Sequence, residues 1–196
     1  PPLTAEKVTL VRWLAGMHVA ADPQRLLAGD LRLRGYEESD GDERPTYAFE
    51  TFVQSDRQIT VIPLATQAQF AEGFMVTGIN FYYQNGEKGA PPQLLAEVRW
   101  QSNSPHAMPL SISLRLAQSE GQGSAQIDSW LWNERGATAE KWRAEEESRL
   151  FLELDTTNLP GGHYTVTLIP YQTPTQQPLQ PADNSGNYPV GAIDLP

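Results

Sequence analysis

The sequence predicts an all-β fold: an antiparallel β-sandwich, jelly-roll or immunoglobulin-like, with one N-terminal helix. Three observations predict it. About ten short runs alternate apolar with polar residues, with turn signals roughly every 8–12 residues. The strand–helix alternation of a doubly wound sheet is missing. Arg149, Phe151 and Glu153 share one face of their run and Leu150, Leu152 and Leu154 the other, as in a sheet with one wet face and one face packed on a partner sheet.

Taking the elements in order, Thr4 caps an expected helix over residues 5–20, with Glu6 in its first turn and Asp22-Pro23 stopping it. Leu10, Val11, Leu14, Met17 and His18 then fall on one face. Val8, Leu10, Arg12 and Leu14 also alternate, so a strand is the competing assignment. Leu27–Tyr36 reads as a strand, with Leu31 and Leu33 set against Arg32 and Arg34. Glu37–Arg44 (EESDGDER) reads as a solvated acidic loop. Tyr47–Val53 and Gln58–Leu64, separated by Gln54-Ser55-Asp56-Arg57, read as a hairpin. Phe74–Tyr83 is a strand closed by the Asn85-Gly86 turn signal. Leu94–Trp100, Leu110–Leu116, Ala125–Trp130, Arg149–Leu154 and Tyr164–Tyr171 follow as strands, the last entered through Pro160-Gly161-Gly162. Residues 172–187 read as a long loop and Val190–Leu195 as a final edge strand. Residues 1–65 form an N-terminal extension that is either a separate module or completes the sandwich; residues 66–196 form the sandwich. A faint echo between residues 27–36 and 70–79 is attributed to shared strand chemistry.

Composition narrows the partners. A net charge of −10 repels a phosphate backbone, so nucleic acid is set aside. The chain has no cysteine, hence no disulfide, thiol nucleophile or cysteine metal site. No stretch approaches the ~20 apolar residues of a membrane-spanning helix. A Pro-Pro start without a signal-peptide pattern is what a piece of a longer, partly membranous protein would show.

No nucleophile-elbow, zincin, Walker or dinucleotide motif is present. His18, His106 and His163 lack metal-ligand spacing. The acids of Glu145-Glu146-Glu147 and Glu37-Glu38 read as solvated faces, since paired glycosidase carboxylates must face each other across a cleft. Asp128 stands out as an acid within a strand, most simply bonded to a following turn. For cofactors the expectation is none. Weak calcium candidates are Asp40, Asp42 and Asp183, which sit on oxygen-rich stretches without EF-hand spacing.

Trp130, Trp132 and Trp142 lie close together with polar residues between them. An exposed indole beside polar groups suits the apolar side of a pyranose ring, so these three and Asp128 are the candidate glycan-binding residues. Trp130 and Trp132 share a parity, which core tryptophans would also show.

The second half, about residues 70–195, resembles the extracytoplasmic β-sandwich at the C-terminal end of bacterial multi-span glycosyltransferases of the dolichyl-phosphate-mannose mannosyltransferase-like class. The resemblance rests on the order of several segments. These are Phe74–Ile79 with Gly78; Leu95-Ala96-Glu97-Val98-Arg99-Trp100 with Pro105; Leu110–Leu116; and Ala125-Gln126-Ile127-Asp128. Thr138, Trp142 and Glu145 or Glu146 follow, then Pro160-Gly161-Gly162-His163-Tyr164, Leu168, Tyr171 and Pro178-Leu179. It implies a non-catalytic accessory module on the extracytoplasmic face of the membrane, packed against a parent membrane domain and positioning a glycan or protein acceptor. The parent's catalytic acids lie outside the matched stretch. The alternatives are a free-standing carbohydrate-active hydrolase, using Asp128 with one of Glu145–Glu147, and a secreted structural module assembling through edge strands.

Overall fold

A computed structural model describes residues 5–15, 19–20, 24–44, 47–86, 92–118, 123–157, 159–183, 185–186 and 188–196. The fold is mostly antiparallel β, with 56% strand, 8% helix and one α-helix among the described residues. In chain order the first elements are β1 (Lys7–Ala15), β2 (Val19–Ala20), α1 (Leu26–Leu33), β3 (Tyr36–Glu43), β4 (Tyr47–Gln54), β5 (Ile59–Leu64) and β6 (Ala68–Gln69). There follow β7 (Phe74–Gln84), β8 (Gln93–Ser102), β9 (Leu110–Ala117), β10 (Ser124–Trp130), β11 (Ser148–Leu154), β12 (Gly162–Gln172) and β13 (Pro189–Leu195). They form three sheets: I, β2-β1-β4-β3; II, β11-β8-β7-β5 with β6 beside β7; and III, β10-β9-β12-β13.

Sheets II and III face each other across the main core. Sheet III contributes Leu110, Ile112, Leu114 and Leu116 from β9 and Tyr164, Val166 and Leu168 from β12. Sheet II contributes Leu94, Ala96, Val98 and Trp100 from β8 and Leu150, Leu152 and Leu154 from β11. Each such side chain taken fully out of water contributes roughly 1.5–3 kcal/mol, so these stripes dominate the fold's stability. On β7 the inward stripe changes parity, from Phe74 and Val76 to Ile79 and Phe81. A register shift between Val76 and Gly78 supplies the extra residue. The Pro160–Gly162 turn needs its glycines. A Cβ on Gly161 would come within 2.6 Å of the Pro196 carbonyl oxygen, and Gly162 has φ +142°.

The N-terminal region departs from expectation in four places. Residues 7–15 are a strand, not a helix. Val8 and Leu10 pack toward Ala28, Leu31, Tyr36 and Phe52 while Val11 is 58% exposed. The two-residue period therefore wins, because β1 finds β4 as a partner along seven consecutive residue pairs. Thr4, Met17, His18, Asp22 and Pro23 lie outside the described residues. Second, Leu26–Leu33 is a helix: Ala28, Gly29, Leu31 and Arg32 are buried along one side, so Arg32 faces inward rather than outward. Third, the acidic stretch is strand β3, half-buried at Glu37 and Glu38, exposed from Ser39 to Glu43 and hydrogen bonded to β4; its carboxylates guard a sheet edge. Fourth, β4 and β5 do not form a hairpin. The intervening residues carry the chain from sheet I to the edge of sheet II, so strand Ile59–Leu64 of the N-terminal extension belongs to the sandwich.

α1 packs on the outer face of sheet II at β11. Gly29 lies against the Phe151 ring, and the Phe151 amide donates to the Gln24 carbonyl (2.9 Å). Arg32 pairs with Glu153 (2.7 Å) and Arg149 with Asp30 (3.4 Å). The outer face of sheet III has no such cover among the described elements.

Candidate functional site

Alternation on β9, β10 and β12 builds that open face. Ser111, Ser113 and Arg115 on β9 lie beside Trp130, Asp128 and Gln126 on β10, and beside Tyr171, Ile169 and Thr167 on β12. Beyond β12 the chain turns back, with the Gln172 amide donating to the Gln177 carbonyl (2.9 Å) and Tyr171 bridging to Pro178. This turn raises one wall of a groove of about 630 Å³, whose other lining includes Ser113, Arg115, Asp128, Tyr171 and Gln176. Small serines keep the floor low. Ser111 Oγ and Thr173 Oγ1 are hydrogen bonded at 2.8 Å.

The polar groups of the groove are individually held. The Tyr171 hydroxyl donates to Asp128 Oδ1 (3.1 Å) and Gln126 Nε2 donates to Oδ2 (2.7 Å). Burial, and then the Asp128 charge, raise the Tyr171 hydroxyl above its usual range, so it stays protonated and able to donate. Arg115 Nε donates to Ser113 Oγ (3.2 Å), and among the described residues no carboxylate is ion-paired with Arg115. At the end of β10 the Leu131 side chain is buried in the core and its amide donates to the Leu110 carbonyl (2.9 Å). That anchor leaves Trp130 and Trp132 on the same side. Their rings stack at 5.8 Å and 13°, so Trp132 braces Trp130, which is 47% exposed.

Three of the four expected glycan-binding residues therefore gather here and the fourth does not. Trp142 is 3% exposed, packed 4.1 Å from the Trp100 ring, and its Nε1 donates to the Ala137 carbonyl (2.9 Å). It is a core residue, because the segment after its 3-10 turn enters the sandwich rather than continuing along the surface. The sequence assigns no binding role to Arg115 or Gln176, and names Tyr171 only as part of the resemblance. The polar parity of Ser111, Ser113 and Arg115 is a signal for the first; nothing local marks the turn that brings Gln176 over the face.

The remaining candidates are scattered. Glu147 accepts from Thr77 Oγ1 (3.1 Å) and lines a separate cleft of about 550 Å³ with Arg99 and Asn80, which lie on sheet II. Glu146 is tied to Arg135 (2.6 Å). Asp128 lies in the sheet III groove and Glu147 in the cleft on sheet II. Asp40 and Asp42 lie on β3, where Asp42 pairs with Arg44 (2.6 Å). Asp183 accepts from the Ser185 amide (2.9 Å), a bond that lowers its carboxyl below the ordinary range. Among the described residues no three His, Asp or Glu side chains converge as a metal site. His163 is exposed beside Asp194 (2.8 Å).

Two further polar clusters were invisible in the sequence. Ser102 Oγ lies 2.8 Å from His106 Nε2, and His106 Nδ1 lies 3.0 Å from Glu72 Oε2. The spacing is that of a nucleophile, base and orienting acid. The environment is not: Ser102 is 1% exposed, His106 lies edge-on to Phe74 and Trp142, and the Ser102 hydroxyl also reaches the Ser104 carbonyl (2.8 Å). A substrate carbonyl has no approach to that oxygen, and the cluster ties the 102–106 loop to Glu72. The second cluster centres on the buried Glu97, which accepts from Asn80 (3.1 Å), Tyr82 (2.9 Å) and Arg99 (3.3 Å). Burial pushes its carboxyl upward, but the bonds from Asn80, Tyr82 and Arg99 outweigh burial and hold it below the ordinary value. Burial, and then the bond to Glu97, push the Tyr82 hydroxyl up to about 12.

Comparisons with protein-family models, curated proteins and solved structures find no match to this chain.

Proposed function

We propose that this chain is a non-catalytic β-sandwich that binds a glycan on the open face of sheet III. It would serve as an extracytoplasmic accessory module of a membrane-bound glycosyltransferase-like protein. The observation that carries the binding role is Trp130, braced by Trp132 and two residues along β10 from Asp128, which lines a groove with Tyr171 and Arg115. A flat apolar ring next to fixed donors and acceptors complements a sugar, which is apolar on its ring face and polar around its rim. The parent membrane domain and the location rest on the ordered motifs of residues 70–195, and the sandwich fold is compatible with them.

Tryptophan fluorescence and calorimetric titration with a panel of oligosaccharides test the binding role. At least one member should perturb the emission. Trp130→Ala should weaken that binding at least about tenfold, about 1.4 kcal/mol, because the stacking platform is gone. A panel in which no member binds would refute the glycan role.

A further inference from the structure

Asp128 and Arg115 occupy diagonal positions on neighbouring strands, since Asp128 faces Ser113 and Arg115 lies two residues further along β9. Such positions place Cβ atoms roughly 7 Å apart, close enough for an acid and an arginine to meet. They do not pair: Asp128 is held by Tyr171 and Gln126, and Arg115 by Ser113. An acceptor and a donor are thus fixed on either side of a gap in the groove floor. Trp130 lies one rung from Asp128 along the same strand, and Gln126 one rung beyond it, so the three span about 13 Å.

We propose that the groove selects an uncharged glycan over an acidic one, with adjacent hydroxyls of one sugar bridging Asp128 and Arg115 while the neighbouring ring lies on Trp130. A hydroxyl both donates and accepts, so a neighbouring pair satisfies a carboxylate and a guanidinium together. A ligand carboxylate satisfies only Arg115. It also meets the like charge of Asp128, on a chain whose net charge is −10. The inference rests on the glycan-binding reading of this face and names its ligand class.

The test is isothermal titration of the full chain with cellotetraose, mannotetraose and tetragalacturonate, repeated on Asp128→Asn and Arg115→Gln. The expected result is that a neutral tetrasaccharide binds and tetragalacturonate is weaker by roughly tenfold. Asp128→Asn should narrow that gap, and Arg115→Gln should weaken neutral binding several-fold. Tetragalacturonate binding as tightly as the best neutral sugar, or Arg115→Gln leaving neutral affinity unchanged, overturns the ligand class while the glycan reading stands. No heat or emission change with any of the three overturns both. Circular dichroism of each variant establishes that a lost signal is not lost fold.

Discussion

Gly29→Ala sets two energies of opposite sign against each other. Alanine in place of glycine within α1 favours the helix by about 0.5–1 kcal/mol. The added methyl, however, would be placed 2.2 Å from Phe151 Cδ2 and 2.3 Å from Cγ, far inside van der Waals contact with the ring. The ring has little room to yield. Phe151 is 2% exposed, and its amide is tied to the Gln24 carbonyl at the start of the covering segment. Overpacking of this kind costs typically about 1–3 kcal/mol, so the net effect is a loss of up to about 2.5 kcal/mol. For a chain of this length each kcal/mol moves the midpoint by about 2–4 °C, which predicts a Tm lowered by up to about 10 °C. Calorimetry of wild type, Gly29→Ala, Phe151→Leu and the double variant measures it. The double variant should recover part of the loss, with a coupling of at least about 1 kcal/mol, because the smaller side chain leaves space for the methyl. A Tm that rises in Gly29→Ala would refute the docking of α1 on sheet II, since helix propensity alone would then be acting.

Glu97→Gln should cost about 1–3 kcal/mol at neutral pH, as Arg99 and Arg149 lose a buried anionic partner. The folded carboxyl lies below the ordinary value of 4.5, so its contribution is complete above that pH and is lost as pH falls through the folded value. Urea titrations should therefore show the wild-type advantage over Glu97→Gln shrinking in acid; a constant gap would refute the assignment. Ser102→Ala should destabilise by about 1–3 kcal/mol because His106 Nε2 loses its partner in the core. Ser148→Ala, whose equally buried hydroxyl has no hydrogen-bond partner among the described residues, should be neutral or stabilising; chemical denaturation of both separates the two cases. Trp142→Ala should lower stability by about 3–5 kcal/mol without changing glycan affinity of the folded protein, whereas a selective loss of affinity would return Trp142 to the site.

The alternation in residues 93–172 was enough to place β8 to β12 and to assign their inward faces, because a stripe of period two buried on one side tolerates no slip of register. Residues 5–20 fit both the two-residue and the 3.6-residue period, and propensity alone cannot break such a tie; the pairing of β1 with β4 breaks it for residues 7–15. In residues 27–36 the alternation of Leu31 and Leu33 with Arg32 and Arg34 reads as a strand, and the burial of Ala28, Leu31 and Arg32 against neighbouring elements makes Leu26–Leu33 a helix instead.

Local pattern alone makes this chain a β protein, gives it two opposed stripes for a core, and sets Trp130 and Trp132 on one side. Which outward faces stay open depends on the packing of distant segments. α1 covers Phe151 on the outer face of sheet II, whereas the face carrying Asp128 gains a wall from the turn after β12. The same packing drew Trp142 inward and brought Arg115, Asp128 and Tyr171 around one groove. The physical reason is that side-chain parity is a local property of the extended backbone, while cover and convergence depend on contacts between segments far apart in the chain.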